Sequence, residues 1–389
     1  MAIQLLVTDE NLSVQGDPLT GWTSLEATTR YNEPASGSVD LPAHPWVMEL
    51  LQPGNRIVVV RDEQIWTAGP MEVPQDFSWG FDNSGDAPPG TVRVNFSDDL
   101  ARIAGYITWP DPDEAWSNQP KSQQRTLLTQ TVDEMITTIV DENCGPGARA
   151  ARRIPALVVE APTGIGIPFK AQTRFEPLLD FCRRVVATGA PRAGVRTVQV
   201  GNEIRFGCYV PANKMGTARF SAGLGNLRAA SFKSEAPTAT TALVAGTEED
   251  ASPRTYREQV NLSAEDDWWR VEKYVDGGAL DDTDGELTSA GNEALEEGAP
   301  KTELTTVMVD TEDLRAGRDY SLGDRVAVTL PMGLEINEIV RAITLQATPA
   351  GGEVVTTLIG TTEATLDLRT VRDIRDLIRK VGRLERKGR

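Results

Sequence analysis

The 389-residue chain is poor in the side chains that most often carry chemistry. It has one histidine, His44, and three cysteines, Cys144, Cys182 and Cys208, set far apart and without a CxxC pair. Structural zinc needs clustered Cys and His at short spacings, so no metal site is expected and the cysteines read as buried thiols. Nucleophilic catalysis by Ser or Cys needs a base within reach, and the single histidine lies in a proline-framed turn, PAHPW (42–46). No catalytic residue and no cofactor is expected. Long apolar runs are also missing. Nothing approaches the roughly 18 residues of a membrane span, and the opening MAIQLLVTDE lacks the basic and apolar regions of a signal peptide. The expectation is a protein without a membrane span, made in a cytoplasm and either kept there or built into something assembled there. Positive charge is in deficit, with 39 Lys and Arg against 57 Asp and Glu and a net charge of −18. A surface so charged repels phosphates, which argues against nucleic-acid binding over the whole molecule.

What is present is an ordinary globular composition, 40% hydrophobic and 25% charged, in a chain long enough for two to four modules. One short pattern occurs twice. LQPGNRIVVV (51–60) and YSLGDRVAVT (320–329) each place a glycine (Gly54, Gly323) before a polar residue, an arginine (Arg56, Arg325) and an apolar alternation (Ile57 and Val59; Val326 and Val328). Two such openings predict two similar β-barrels, an architecture that closes off exposed strand edges.

The first hundred residues alternate like strands and are punctuated by QGDP, NEPASG, LQPG and SGDAPPG, as in a small barrel. Trp22, Tyr31, Trp46 and Trp66 are expected in its interior or at its rim. The prolines of WPDPDEAW (109–116) read as a linker. Beyond it Leu127, Leu128, Val132, Met135, Ile136, Ile139 and Val140 share one helical face, ended by GPG (145–147). Thr173 and Glu176 suggest a capping box for a second helix through Leu178, Leu179, Phe181, Cys182, Val185 and Val186 to Gly189. Val198 and Val200 face Ile204 and Phe206 across Gly201-Asn202, a hairpin turn. The fold class expected is β-rich α+β, with two related β-barrel domains, two small α/β modules and a C-terminal helix. The boundaries are 1–108 for the first barrel, 109–212 for an α+β module, 213–247 with 302–363 for a split second barrel, 248–301 for an inserted acidic lobe, and 364–389 for an amphipathic helix.

Partial motifs weaken on inspection. LDDTDGELTSAG (280–291) has Leu280 at the first ligand position of a calcium loop and Gly291 where the twelfth demands Glu. GLGNLR (223–228) carries Arg228 in place of the last glycine of a dinucleotide fingerprint. Trp268 and Trp269 could stack on sugars, although paired tryptophans in a β segment more often pack a module interface. In the tail, Ile374, Leu377, Val381 and Leu384 repeat at coiled-coil spacing, widened by Ile378, and from Arg369 nine Lys and Arg accompany three Asp and Glu. Two heptads are marginal alone, so these residues read as an oligomer or partner helix.

Several stretches in this order resemble the central tail hub proteins of long-tailed phages of actinobacteria, over about residues 1–363. They are GWTSLEATTRYNEPASGSVDLPAHP (21–45), GNRIVVVRDEQIWTAGPMEV (54–73), SEAPTATTALVAG (234–246), WWRVEKYVDGG (268–278) and DLRAGRDYSLGDRVAVTLPMGLEINEIVRAITLQ (313–346). The resemblance implies a homotrimer whose six tube-like domains match a hexameric tail tube or distal tail ring on one side and tip or receptor-binding proteins on the other. The tape measure protein and DNA would pass its channel, the DNA without specific binding. The implied location is the distal end of the virion tail, after assembly in the host cytoplasm. Many relatives carry a long C-terminal host-binding or wall-cutting extension, and here only the helical tail follows. The competing expectations are a tail-tip glycan-binding adhesin or cell-wall hydrolase, and a hub of a contractile injection device.

Overall fold

The computed structural model describes residues 3–72, 76–78, 90–246, 254–277, 286–299, 302–330, 335–349 and 351–360. The chain divides into two units. Unit 1 contains Met1–Arg228, Val307–Val328 and Asn337–Leu358; unit 2 contains Ala229–Thr306, Thr329–Ile336 and Ile359–Arg389.

Unit 1 opens with a three-stranded antiparallel sheet. β1 (Ile3–Thr8) pairs with β4 (Arg56–Arg61), which pairs with β5 (Gln64–Pro70). Alternation along β1 turns Leu5 and Val7 into the core, while Ile57, Val58 and Val59 of the central β4 are buried on both faces. A second path runs β2 (Ser24–Arg30), β3 (Glu33–Pro42), β7 (Thr91–Ser97) and β6 (Asp76–Ser78). Close approach explains one glycine here: a Cβ on Gly37 would stand 2.3 Å from the Phe96 ring. α1 (Pro45–Leu50) and α2 (Leu100–Ala104) are short connectors. Tyr31 is buried, whereas Trp46 is 39% exposed.

The second part of unit 1 is α+β. α3 (Val132–Cys144) and α4 (Leu178–Gly189) pack around Met135, Ile136, Ile139, Phe181, Cys182 and Val185. β11 (Gly194–Val200) and β12 (Glu203–Tyr209) form the expected hairpin across Gly201-Asn202, with β9 (Leu157–Val159) parallel to β12. β8 (Arg125–Gln130) pairs with β10 (Phe169–Thr173). Three expectations change here. Leu127 and Leu128 belong to β8 rather than to the helix: Leu127 is buried, Leu128 points out, and α3 starts only after Thr131, whose N–H is accepted by the Glu134 carboxylate at 2.8 Å. Thr173 and Glu176 do not cap α4, because Pro177 holds the N-cap position and biases Glu176 away from helix. Glu176 accepts from Thr173 Oγ1 at 2.9 Å and pairs with Arg184. The proline-rich stretch at 109–116 is a fixed loop rather than a linker. Trp109 N–H donates to Asn143 Oδ1 at 2.9 Å, the Arg152 guanidinium lies 4.0 Å from the Trp109 ring centroid, and Gln119 bonds both the N–H and the carbonyl of Asp111.

The C-terminal strands return to the N-terminal sheet. β13 (Arg219–Ser221) pairs with β19 (Arg325–Thr329), and β19 pairs with β20 (Glu335–Thr348). β20 also pairs antiparallel with β2, Leu25 opposite Ala347 through Arg30 opposite Ala342, and β21 (Gly352–Ile359) lies on its other side. β14 (Leu227–Ser234) carries the chain toward unit 2 and β18 (Thr302–Val309) brings it back. The expected closed barrels are not present among the described residues. The two β sets share an open sheet among the described residues because β2 spends its second edge on β20, and just past β5 the chain meets β7 through the Met71–Phe96 bridge and Glu72 N–H to Asn95 O.

Unit 2 holds a sheet ordered β16 (Tyr256–Val260), β15 (Thr241–Ala245), β17 (Glu272–Asp276), with α5 (Leu262–Asp267) linking its outer strands and α6 (Glu286–Glu297) against one face. The 280–291 stretch that was weighed as a calcium loop runs into α6 from residue 286; its earlier residues lie outside the described ones.

Candidate assembly site

The two copies of the repeated opening adopt the same local geometry. Gly54 has φ +89° and Gly323 φ +81°, and each sits third in a turn closed by the fourth residue's N–H, Asn55 to Gln52 O at 3.1 Å and Asp324 to Ser321 O at 3.2 Å. Positive φ at that position is the requirement of a type II turn, which glycine meets without strain. Each turn then launches a buried strand: Ile57 and Val59 in β4, Val326 and Val328 in β19, all at 0% exposure. The agreement extends to the next strand. The carbonyl before each arginine accepts an N–H from 16 residues downstream, Asn55 from Met71 and Asp324 from Val340. In each copy the strand is the central one of three, between β1 and β5 or between β13 and β20.

The arginines themselves have different surroundings. Arg56 is 1% exposed; its Nε donates to Asp99 Oδ1 at 3.1 Å, its Nη2 pairs with Asp99 Oδ2, and it also donates to Thr8 Oγ1 and Gln199 Oε1. Burial pushes the Asp99 carboxyl upward against the pull of Arg56. Arg325 is half-buried, and its N–H donates to Ala212 O at 2.9 Å. At the far end of β4, Arg61 makes a second buried network that the sequence reading missed. It donates to Glu353 at 2.9 Å, pairs with Asp310 at 3.4 Å and lies 5.1 Å from the Trp66 ring centroid, while Tyr320 O–H donates to Asp310 Oδ1 and meets Thr357 Oγ1 at 2.8 Å. One strand thus ties the N-terminal sheet to residues 310–320 and 353–357. The only signal for it was Arg61 bracketing the apolar run that Arg56 opens.

A fourth carboxyl, on the half-buried Asp98, stands next to this framework. Asp98 Oδ1 is buried without a hydrogen-bond partner, and burial, with Asp99 beside it, pushes its pKa up to about 6. Among the other residues weighed from the sequence, His44 occupies the N-cap position of α1 with its ring stacked at 6.5 Å on Trp46. Burial pushes the Cys144 and Cys208 thiols up to about 12 and raises that of Cys182, which suits packing rather than nucleophilic attack. Trp268 and Trp269 meet edge to face at 5.7 Å after α5, with Trp269 55% exposed. Ile374, Leu377, Val381 and Leu384 lie outside the described residues.

Comparison with known proteins gives a family and a fold. The model of the Siphovirus ReqiPepy6 Gp37-like protein family matches residues 4–361. Among curated proteins none matches the chain. Of solved structures, the 43 kDa tail protein of prophage MuSo2 from Shewanella oneidensis is similar, with a TM-score of 0.56 at 11% identity, covering 92% of this chain and 98% of that one. The tail protein from Neisseria meningitidis MC58 is similar with a TM-score of 0.53 at 12% identity, covering 93% and 97%.

Proposed function

The chain belongs to the Siphovirus ReqiPepy6 Gp37-like protein family, and from that premise we propose that it is a structural hub of a long-tailed phage. Three copies form a ring at the distal end of the virion tail. The ring caps the hexameric tail tube, joins it to tip or receptor-binding proteins, and gates passage of tape measure and DNA. The likeness in fold to two tail proteins, one of them from a prophage, supports a place in the tail.

The observation that carries the symmetry is the double turn and strand, alike in turn, burial and register through Asn55–Met71 and Asp324–Val340. Two such units per chain let a threefold assembly offer six similar surfaces, which is what a sixfold neighbour requires. In this proposal residues 1–108, and 213–247 with 302–363, are the two tube-like domains, while 109–212 and 248–301 are the outer modules. The acid excess suits a wall that DNA passes without adhering. No catalytic, cofactor or metal role is assigned. Mass in solution combined with low-resolution imaging tests the proposal: a particle of three subunits around a central hole is expected, and a lone subunit at concentrations found in assembling tails would overturn it.

A further inference from the structure

Among the described residues, the sheet of unit 2 is covered on one face only. α6 occupies that face: a Cβ on its Gly291 would lie 2.5 Å from Gln259 and 3.2 Å from Val244, and Lys273 pairs with Glu297 at 3.1 Å. Ala242, Ala294 and Leu295 fill the contact, with Val275 packed against them. The strand pleat sends the alternate residues to the opposite side. There the pairing register sets Glu258, Leu243 and Tyr274 in one row and Tyr256, Ala245 and Asp276 in the next. Leu243 is 41% exposed, Tyr256 54% and Tyr274 55%. The small Ala245 among them is fully buried, so the three large side chains on adjoining strands are what stands out on this face, and they mark a contact surface.

Charge selects the occupant. The carboxylates of this face outnumber its arginines: Arg270 is shared by Glu258 and Glu272, and Arg254 pairs with Asp276 and donates to the Tyr274 hydroxyl at 3.1 Å. Residues 229–306 hold six Lys and Arg against eighteen Asp and Glu, a net −12 within the −18 of the whole chain. Beyond Gly360 the chain continues for the 29 residues of 361–389, and from Arg369 onward these carry nine Lys and Arg against three Asp and Glu. The apolar residues of that segment, Ile374, Leu377, Ile378, Val381 and Leu384, follow helical spacing.

We propose that the C-terminal segment 369–389 docks as an amphipathic helix on the bare face of the β16-β15-β17 sheet. Ile374 to Leu384 spans roughly 15 Å as a helix, which crosses three strands whose outer members are roughly 10 Å apart. Its leucines and isoleucines cover Leu243, Tyr256 and Tyr274, and its flanking arginines meet Glu258, Glu272 and Asp276. Photo-cross-linking in the full chain tests this, with p-benzoylphenylalanine in place of Tyr274, an exposed site whose change leaves the core untouched. Cross-links to peptides within 371–387 are expected, and the yield is expected to fall about tenfold in a Leu377→Glu/Leu384→Glu variant, as the loss of roughly one to two buried apolar contacts requires. Cross-links confined to other segments or to the body of a second copy, or no cross-link from a chain whose circular dichroism is unchanged, would overturn it. The hub proposal fails or stands separately, since its subunit count does not depend on what covers Tyr274.

Discussion

Arg56 and Arg61 show how two charges at the ends of one strand organise a sheet. A guanidinium as buried as that of Arg56 is tolerable only with its partner in place, and removing one member of such a pair typically costs about 3–5 kcal/mol. Asp98, two positions beyond Phe96 and adjacent to Asp99, has no such partner at Oδ1. Its carboxyl titrates near 6 when folded, above its ordinary value of 3.8. The folded state therefore binds the proton more tightly than the unfolded state, so stability rises as pH falls from 7.5 through 6 toward 5. The rise expected from this group is about 1 kcal/mol over that range. Asp310 and Glu338, also raised by burial, act in the same direction. Urea denaturation at pH 7.5 and pH 5 is expected to show a smaller rise in Asp98→Asn than in wild type, by about 1 kcal/mol; an unchanged slope would rule Asp98 out as its source.

At the level of elements, the repeated turn separates conformational from steric demand. Gly54 and Gly323 share positive φ, but a Cβ at Gly54 would meet nothing within 4 Å, whereas at Gly323 it would fall 2.5 Å from Tyr31 and 2.6 Å from Pro211. Gly54→Ala is expected to cost about 1 kcal/mol, the strain of left-handed backbone, and Gly323→Ala about 2–4 kcal/mol once overpacking is added. Equal losses by thermal or chemical denaturation would contradict the contrast. The turns were legible in the sequence because glycine before a polar residue and an apolar alternation encodes them locally, as did Gly201-Asn202. The helices were legible from Val132 and Leu178 onward for the same reason. Leu128 and the 109–116 loop were misread because their states depend on distant partners, a β10 strand for one and Asn143 and Arg152 for the other. The Asp99, Asp310 and Glu353 partners left no local trace, since each meets its arginine only after the sheets assemble.

On the scale of the whole molecule, the pairing of β2 with β20 joins residues near opposite ends of the chain, and Leu345 of β20 is fully buried opposite Ala27. Leu345→Ala is expected to cost about 2–5 kcal/mol and to speed hydrogen exchange in residues 24–30 at least tenfold; unaltered exchange there would mean the two strands fold independently. The same pairing sets a timetable for synthesis. At roughly 5–20 residues per second, a ribosome that has finished β2 needs about 15–60 s more to deliver β20, and throughout that interval the earlier strand presents an open hydrogen-bonding edge of the kind that recruits other chains. Newborn copies of this protein are therefore most exposed to mispairing while still being translated, until β20 emerges to cover that edge.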